Sequence, residues 1–322
     1  MAYQEAKLLL RYIVYRVNYI ILTLWLVSVI VFASTEVLPG DVVVAILGRN
    51  AEGPAADALR AQLNLDQPAL WRYADWLRGL VTGDLGGSLL LRTPIAPLVA
   101  ERFGNSLWLA FVPFFVGVPL GVLLGVLSAL QQNRWPDYAI SIGVMLGIAL
   151  PEFVIASFAI IVFAHSLNWL PASSLIDPSA GLLANIQFLI LPSLVLTLGM
   201  LAHVTRMSRA SMIDVMATDY IRTAILKGLP LRRVLWHHAL RNALVPTVNI
   251  VALNVGYLFS GLIVVESVFA YPGLGRLLLQ AINSQDLPLL QISVLVITAI
   301  YALANLLADL LTLYLNPRLR MA

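Results

Sequence analysis

Two acidic residues fall inside strongly apolar stretches of this sequence, and chemistry would be sought there first. Glu152 directly follows Pro151 within the apolar run 138–167, and Asp309 lies in the run 289–315. Ionisable groups in such runs are costly unless they meet protein, water or an opposite charge, so they often mark a solute or ion path. A plainer role stands beside each. Pro151 removes a backbone donor and kinks a helix, so Glu152 serves either a structural hinge or a pathway or gate. Asp309 sits near the end of its run, where it can pair with an arginine or cap backbone. His237 and His238 are adjacent and point in different directions on a helix, which argues against a metal pair. His165 and His203 stand alone and read as interfacial. Glu266 and Arg276 flank a short loop, where they serve a gate, a contact with an outside protein, or the loop itself. There is no nucleophile with its base and no Gly-rich phosphate loop of the P-loop form, so the chain does not hydrolyse ATP by that route. Cysteine is absent, so neither a disulfide framework nor a thiolate metal site exists.

The elements that hold these residues are set by composition. The chain has 322 residues, 60% hydrophobic and 11% charged. Soluble domains carry about 25% charged residues. So few charges cannot cover a water-exposed surface, and lipid must solvate much of it. The net charge of +3 does not suggest a nucleic-acid partner. A membrane-spanning helix needs about 20 mostly apolar residues. Six segments qualify: 13–37, 107–130, 138–167, 186–204, 243–265 and 289–315. The first follows Lys7, Arg11 and Arg16 as a secretory signal would, but its apolar run is longer than the roughly 7–15 residues of such a signal. It reads as a retained helix. The fold class is therefore an all-α membrane protein with six transmembrane helices in a single domain, 1–322.

Basic residues fix the orientation. Arg134 lies in the second loop, seven Lys or Arg residues lie between Arg206 and Arg241, and Arg318 and Arg320 lie in the tail. The third and fifth loops hold only Arg276. The positive-inside rule then places both termini and the fourth loop in the cytoplasm. The first loop, 38–106, carries six arginines and seven acids and is too long for the rule to speak strongly. The other loops place it outside. Its turn signals and aromatic residues predict a small extracytoplasmic cap with short helices over 55–63 and 68–80. In the second span, Gly117, Gly121 and Gly125 recur every four residues, a spacing that favours close helix packing.

The fourth loop is the most informative segment. Thr218 suits an N-cap, Asp219 suits the positive end of a helix, and Lys227 suits its last turn. Gly228 suits the left-handed position that ends a helix, and Pro230 suits the start of the next. Tyr220, Ile221, Ala224 and Ile225 share one face of the short helix. Spacing alone leaves open whether that face lies on lipid or docks into a partner's groove.

The residues Arg222-Thr223-Ala224, three positions, then Gly228 resemble the EAA loop of binding-protein-dependent ABC importers. The motif departs from the general pattern in having Arg222 and Thr223 for its first two positions and Arg241 after Leu240. It is similar to the version in oligopeptide, dipeptide and nickel permeases, as are Asp219-Tyr220-Ile221 and His238-Ala239-Leu240-Arg241-Asn242-Ala243. The resemblance continues in Pro39-Gly40-Asp41, Leu65-Asp66-Gln67-Pro68, Gly83-Asp84-Leu85-Gly86 with Ser88, Tyr271-Pro272-Gly273-Leu274-Gly275-Arg276, Asp286, and Asn316-Pro317-Arg318. The long first loop resembles that of the subunit labelled B. This resemblance implies the type I importer permease fold and a second homologous permease as partner. It also implies two ABC ATPase subunits, which bind ATP and Mg, and an extracytoplasmic solute-binding protein. It makes 217–233 the coupling loop, with Asp219, Tyr220, Arg222, Thr223, Ala224, Lys227 and Gly228 at the ATPase interface. The chain itself would bind no cofactor and catalyse nothing. Peptides lead as the cargo, with nickel chelates, glutathione-like and opine-like solutes beside them. Two other classes stand against this one. A secondary transporter or channel needs coupling acids, for which Glu152 and Asp309 are the candidates. An intramembrane enzyme needs a nucleophile and base, which are not found.

Overall fold

The computed structural model describes residues 2–37, 53, 54, 57, 60, 66–175 and 181–315. The helix expected over 55–63, the Pro39-Gly40-Asp41 turn and Asn316-Pro317-Arg318 lie outside the described residues, apart from isolated positions. Among the described residues the chain is helical, with one isolated bridge between Gly87 and Pro94.

Helix α1 is Ala2–Val37, α2 is Ala69–Thr82 and α3 is Ile95–Leu130. Within α3, Pro113–Gly117 widens into a π turn, because proline supplies no N–H to the helical ladder. Next come α4, Trp135–Ala149, and α5, Glu152–Ser166, then α6, Gly181–Met216, and the short α7, Asp219–Leu226. One turn at Leu231–Arg233 and a π segment at Val234–Ala239 lead into α8, Leu240–Val268. Helices α9, Leu274–Asn283, and α10, Leu287–Leu315, complete the set. The expected helix over 68–80 is present as α2, and Gly83 ends it at φ +83°.

Among the described residues four stretches are long and apolar enough to cross a membrane: Arg11–Glu36, Ile95–Leu130, Asn185–Met216 and Leu287–Leu307. The pair α4 and α5, bent by 103°, makes a fifth if it is one broken span. Helix α8 is 29 residues long, and its described apolar stretch is Leu258–Val268. Helix α6 runs well past the expected limit of 204. Thr205, Arg206, Ser208, Arg209 and Asp214 lower the hydropathy there, yet Val204, Thr205, Ser208 and Met212 are buried and keep the turns helical.

The contacts fall into two compact units. The first comprises Met1–Val14, Leu107–Tyr271 and Tyr301–Ala322. Its main core joins Leu109, Ala156, Leu191, Val195, Leu262 and Phe269. Here α3 lies directly on α6, and the glycines set how close. A Cβ at Gly121 would meet the Val204 side chain at 2.9 Å, and one at Gly125 would meet Ser208 Cβ at 2.6 Å and the Thr205 carbonyl at 2.7 Å.

The second unit comprises Tyr15–Ser106 and Pro272–Ile300. Helix α2 packs on α1 through Phe32, whose ring centroid lies 5.3 Å from that of Tyr73 and 5.9 Å from that of Trp76. Ser28 shares a 2.8 Å hydrogen bond with the Tyr73 hydroxyl, and Arg72 pairs with Glu36 at 2.5 Å. The amphipathic α9 buries Leu274, Leu277 and Ala281 against Ile95, Val99, Leu289 and Ile292. Asp286 ties this unit together. It accepts from Ser88 Oγ at 2.5 Å, from the backbone N–H of Leu89 and Leu90 at 3.3 and 3.2 Å, and from Leu289 N–H at 3.4 Å. Ser106 Oγ accepts from Leu274 N–H, and Asn105 donates to the Pro272 carbonyl, each at 2.8 Å, which holds the loop before α9.

Candidate functional site

The short helix α7 is held by its own chain along one edge and open along the other. Ile221 and Ala224 are buried with Met212, Val234, Ala239 and Ala243, and Val126, Ala129, Val215 and Met216 pack around them. The helix therefore rests on the ends of α3 and α6 and on the approach to α8. Asn242 donates to the Tyr220 hydroxyl at 2.8 Å and to the His238 carbonyl at 2.9 Å, a second tether to α8. Ile225 and Leu226 are exposed, Leu226 at 79%, as are Asp219, Arg222, Thr223 and Lys227.

Gly228 sits at φ +77°, and Leu229 N–H reaches the Ala224 carbonyl at 3.4 Å, so the left-handed stop is as expected. Thr218 has the extended backbone of an N-cap residue, but its hydroxyl donates to the Val215 carbonyl at 2.5 Å and caps nothing in α7. The preceding helix ends close by, at Met216, and offers that carbonyl first. Ala224 also departs from expectation. It is 8% exposed and belongs to the anchored edge, while Ile225 belongs to the open one. The four apolar residues read as one face divide between two surfaces.

An ion pair between a buried carboxylate and a half-buried arginine fixes the neighbouring helix ends, and nothing in the sequence analysis singles it out. Asp137, 2% exposed, accepts from Arg209 Nε and Nη2 at 2.7 Å each, from Ser128 Oγ at 2.5 Å and from Asn133 N–H at 3.0 Å. Asn133 stands at φ +62°, which turns its N–H toward the carboxylate. The pair joins α3, the following turn, α4 and α6. In the sequence Arg209 reads only as a loop charge. The available signal was an Asp in the first turn of a proline-started helix, too common to single out.

The broken span places Glu152 inside the first unit. Leu150 and Pro151 are extended at ψ 126° and 142°, and α5 restarts with Val154 N–H on the Pro151 carbonyl at 2.9 Å. Pro151 thus interrupts the ladder as expected. Glu152 lines a cavity of about 320 Å³ together with Gly199, His203, Asn254, Ser260 and Gly261. A Cβ added at Gly261 would lie 2.5 Å from both carboxylate oxygens. His203, read as interfacial, lies in this cavity instead. Helical periodicity on α6 turns it inward, and single-helix hydropathy does not reveal that.

The remaining candidates are placed separately. Glu266 is fully buried near the end of α8, in the first unit, and its carbonyl accepts from Tyr271 N–H at 2.8 Å to close the loop. Arg276 is half-buried on α9, in the second unit, and Asp309 is half-buried on α10. Among the described residues no group of three potential metal ligands occurs.

Two family descriptions match the chain. Residues 9–104 match the N-terminal membrane component of binding-protein-dependent transport systems, and residues 117–321 match the inner membrane component of such systems. The chain belongs to this family. The permease is 38% identical over 312 residues to the glutathione transport system permease protein GsiC of Escherichia coli (strain K12), covering 97% of this chain and 99% of that one. The same figures hold for the corresponding protein of Shigella flexneri serotype 5b (strain 8401). Among solved structures, a chain of the inward-facing MetNI methionine ABC transporter matches with TM-score 0.57 at 17% identity, over 68% of this permease and 96% of that chain. At that identity the likeness shows the fold alone, which is the type I ABC importer permease fold. The permease is thus a membrane-spanning subunit of an ABC importer, and its relatives are transport permease components.

Proposed function

We propose that this permease is one of two homologous subunits that together form the pathway of an importer for peptides or related small solutes. Separate ATPase subunits drive it, and an extracytoplasmic solute-binding protein delivers the cargo. The single observation that carries this reading is α7, anchored on α3, α6 and the approach to α8 while its Ile225–Leu226 edge stays open. An apolar edge on a short, tethered helix suits a partner's groove. Relatives named for glutathione transport favour a peptide-like cargo.

In this reading α8 is the sixth span, both termini and α7 are cytoplasmic, and α2 belongs to an outer cap. The membrane is the cytoplasmic (inner) membrane. ATP and Mg stay on the ATPases, and no nucleic acid takes part. Closure of the ATPases moves Asp219–Leu226, with Arg222, Thr223, Lys227 and the stop at Gly228 at the contact. The buried Ile221 and Ala224 pass that movement to α3 and α6, because close-packed interiors transmit displacement. The break at Pro151 lets α4 and α5 reorient without unfolding, and Glu152 faces the path. Glu266 and Arg276 each serve at the outer side, Glu266 within the first unit and Arg276 within the second.

Affinity purification of the tagged permease from its native membrane should recover a second permease and ATPase subunits carrying P-loops. Transport-competent permease recovered repeatedly without any ATPase would contradict the proposal. Orientation has its own test in this naturally cysteine-free chain. In intact cells an impermeant thiol reagent should label Trp71→Cys and spare Arg232→Cys, and the reverse pattern would overturn the topology.

A further inference from the structure

The cavity beside Glu152 is built like a ligand site. At about 320 Å³ it lies at the lower end of the roughly 300–1,000 Å³ usual for pockets that take small molecules. Apolar walls from Leu196, Met200, Leu258 and Val264 surround a few polar groups. Among the described lining residues Glu152 is the one acid, no Lys or Arg occurs, and His203 and Asn254 are the other large polar side chains. Among the described residues nothing donates a hydrogen bond to the Glu152 carboxylate. The space in front of it depends on Gly261, since a Cβ there would close to 2.5 Å, whereas one at Gly199 would make an ordinary contact at 3.5 Å.

Glu152 is half-buried, and its carboxyl group either takes up a proton there or stays ionised beside an opposite charge or donors. Divalent metal sites usually gather several carboxylate or imidazole ligands, and among the described residues no group of three His, Cys, Asp or Glu side chains occurs. An anion is repelled. A compact organic cation brings both charge and donors, and its carbon neighbours suit the apolar walls.

We propose that this cavity binds the primary ammonium group of the cargo, with Glu152 as counter-ion and Ser260 at its side. The proposal rests on the pathway reading above. The shared chemistry of a free amine also belongs to ethanolamine lipids, and the arms below separate the two.

Ser260 lines the cavity and is exposed, so Ser260→Cys places a single thiol there in a chain that has none. The assembled importer, with its second permease and ATPases, is placed in nanodiscs of phosphatidylglycerol and phosphatidylcholine. The introduced thiol is reacted with aminoethyl or sulfonatoethyl methanethiosulfonate, and mass spectrometry counts the label at position 260. Relative to free cysteine, the cationic reagent should be favoured about tenfold or more, the scale on which a charged, low-dielectric cleft concentrates counter-ions. Glu152→Gln in the same background should abolish that preference. Glycylglycinamide should slow the labelling, and its N-acetyl derivative should not. Equal preference with and without Glu152→Gln, or no reaction with either reagent, overturns the proposal. So does protection by added phosphatidylethanolamine without protection by glycylglycinamide. Retention of the ATPases in the same preparation reports on the importer reading independently, so the two failures are distinguishable.

Discussion

Leu226→Asp alone should abolish transport while the permease remains folded and inserted. Leu226 is 79% exposed on α7 and takes no part in the buried set beneath that helix. Its loss therefore costs the isolated permease little. At an interface the same change removes an apolar anchor and asks a charge to leave water. Anchors of this kind are worth about 2 kcal/mol or more, which is about 30-fold or more in affinity. ATPase subunits should dissociate on purification, and ATP hydrolysis should no longer respond to the loaded binding protein. Ala224→Trp should fail in a different way. Ala224 is enclosed by Ile221, Met212 and Val234, so the indole overfills the chain's own core, at a cost of about 1–3 kcal/mol. That variant should be lost from the membrane before coupling can be measured. Gly228→Val places a β-branched residue at φ +77°, a strain of about 1–3 kcal/mol, and should misdirect α7. A well-expressed Leu226→Asp permease that retains its ATPases and transports at the normal rate would remove α7 from the coupling role.

The second large effect is structural. Gly125→Val should abolish stable insertion, read as loss of full-length permease from the membrane and of its ability to recover ATPases. A Cβ at this position would meet Ser208 Cβ at 2.6 Å, the Thr205 carbonyl at 2.7 Å and the Arg209 N–H nitrogen at 2.9 Å. Two of those atoms are backbone and cannot swing aside, so α3 and α6 must separate. Separation also draws Arg209 away from Ser128, which it reaches at 3.1 Å, and from Asp137. Overpacking costs about 1–3 kcal/mol, and weakening the contacts of the buried Asp137 carboxylate adds to it, a large share of the whole stability of many proteins. Gly104→Val serves as the control, because nothing lies within 4 Å of the added Cβ there. Equal membrane levels of the Gly125→Val and Gly104→Val proteins would show that close approach at Gly125 is dispensable.

Long-range pairs were the least visible part of the sequence. Gly117, Gly121 and Gly125 announced a close helix partner by spacing, but not that α6 is the partner. Asp137 and Arg209 lie 72 positions apart, and no local pattern couples them. Glu152 was conspicuous as a charge in an apolar run. Its companions His203, Asn254 and Ser260 come from two later helices and carried no signal of their own.

By itself the sequence determined the solvent, the all-helical class and the short loop helix. Hydropathy decides whether lipid or water covers a segment, and turn residues such as Gly228 and Pro151 act on the backbone within a few bonds. The motifs in their order were enough for the family. Tertiary structure alone decided which side of each helix faces what. It split the apolar residues of α7 between an anchored edge and an open one, gave the Thr218 hydroxyl to Val215, and carried α6 through a polar stretch where hydropathy alone ends the helix. The physical reason is common to all three. A side chain's local preferences are similar in both arrangements, and the choice is made by burial and hydrogen-bond partners that arrive from distant parts of the chain.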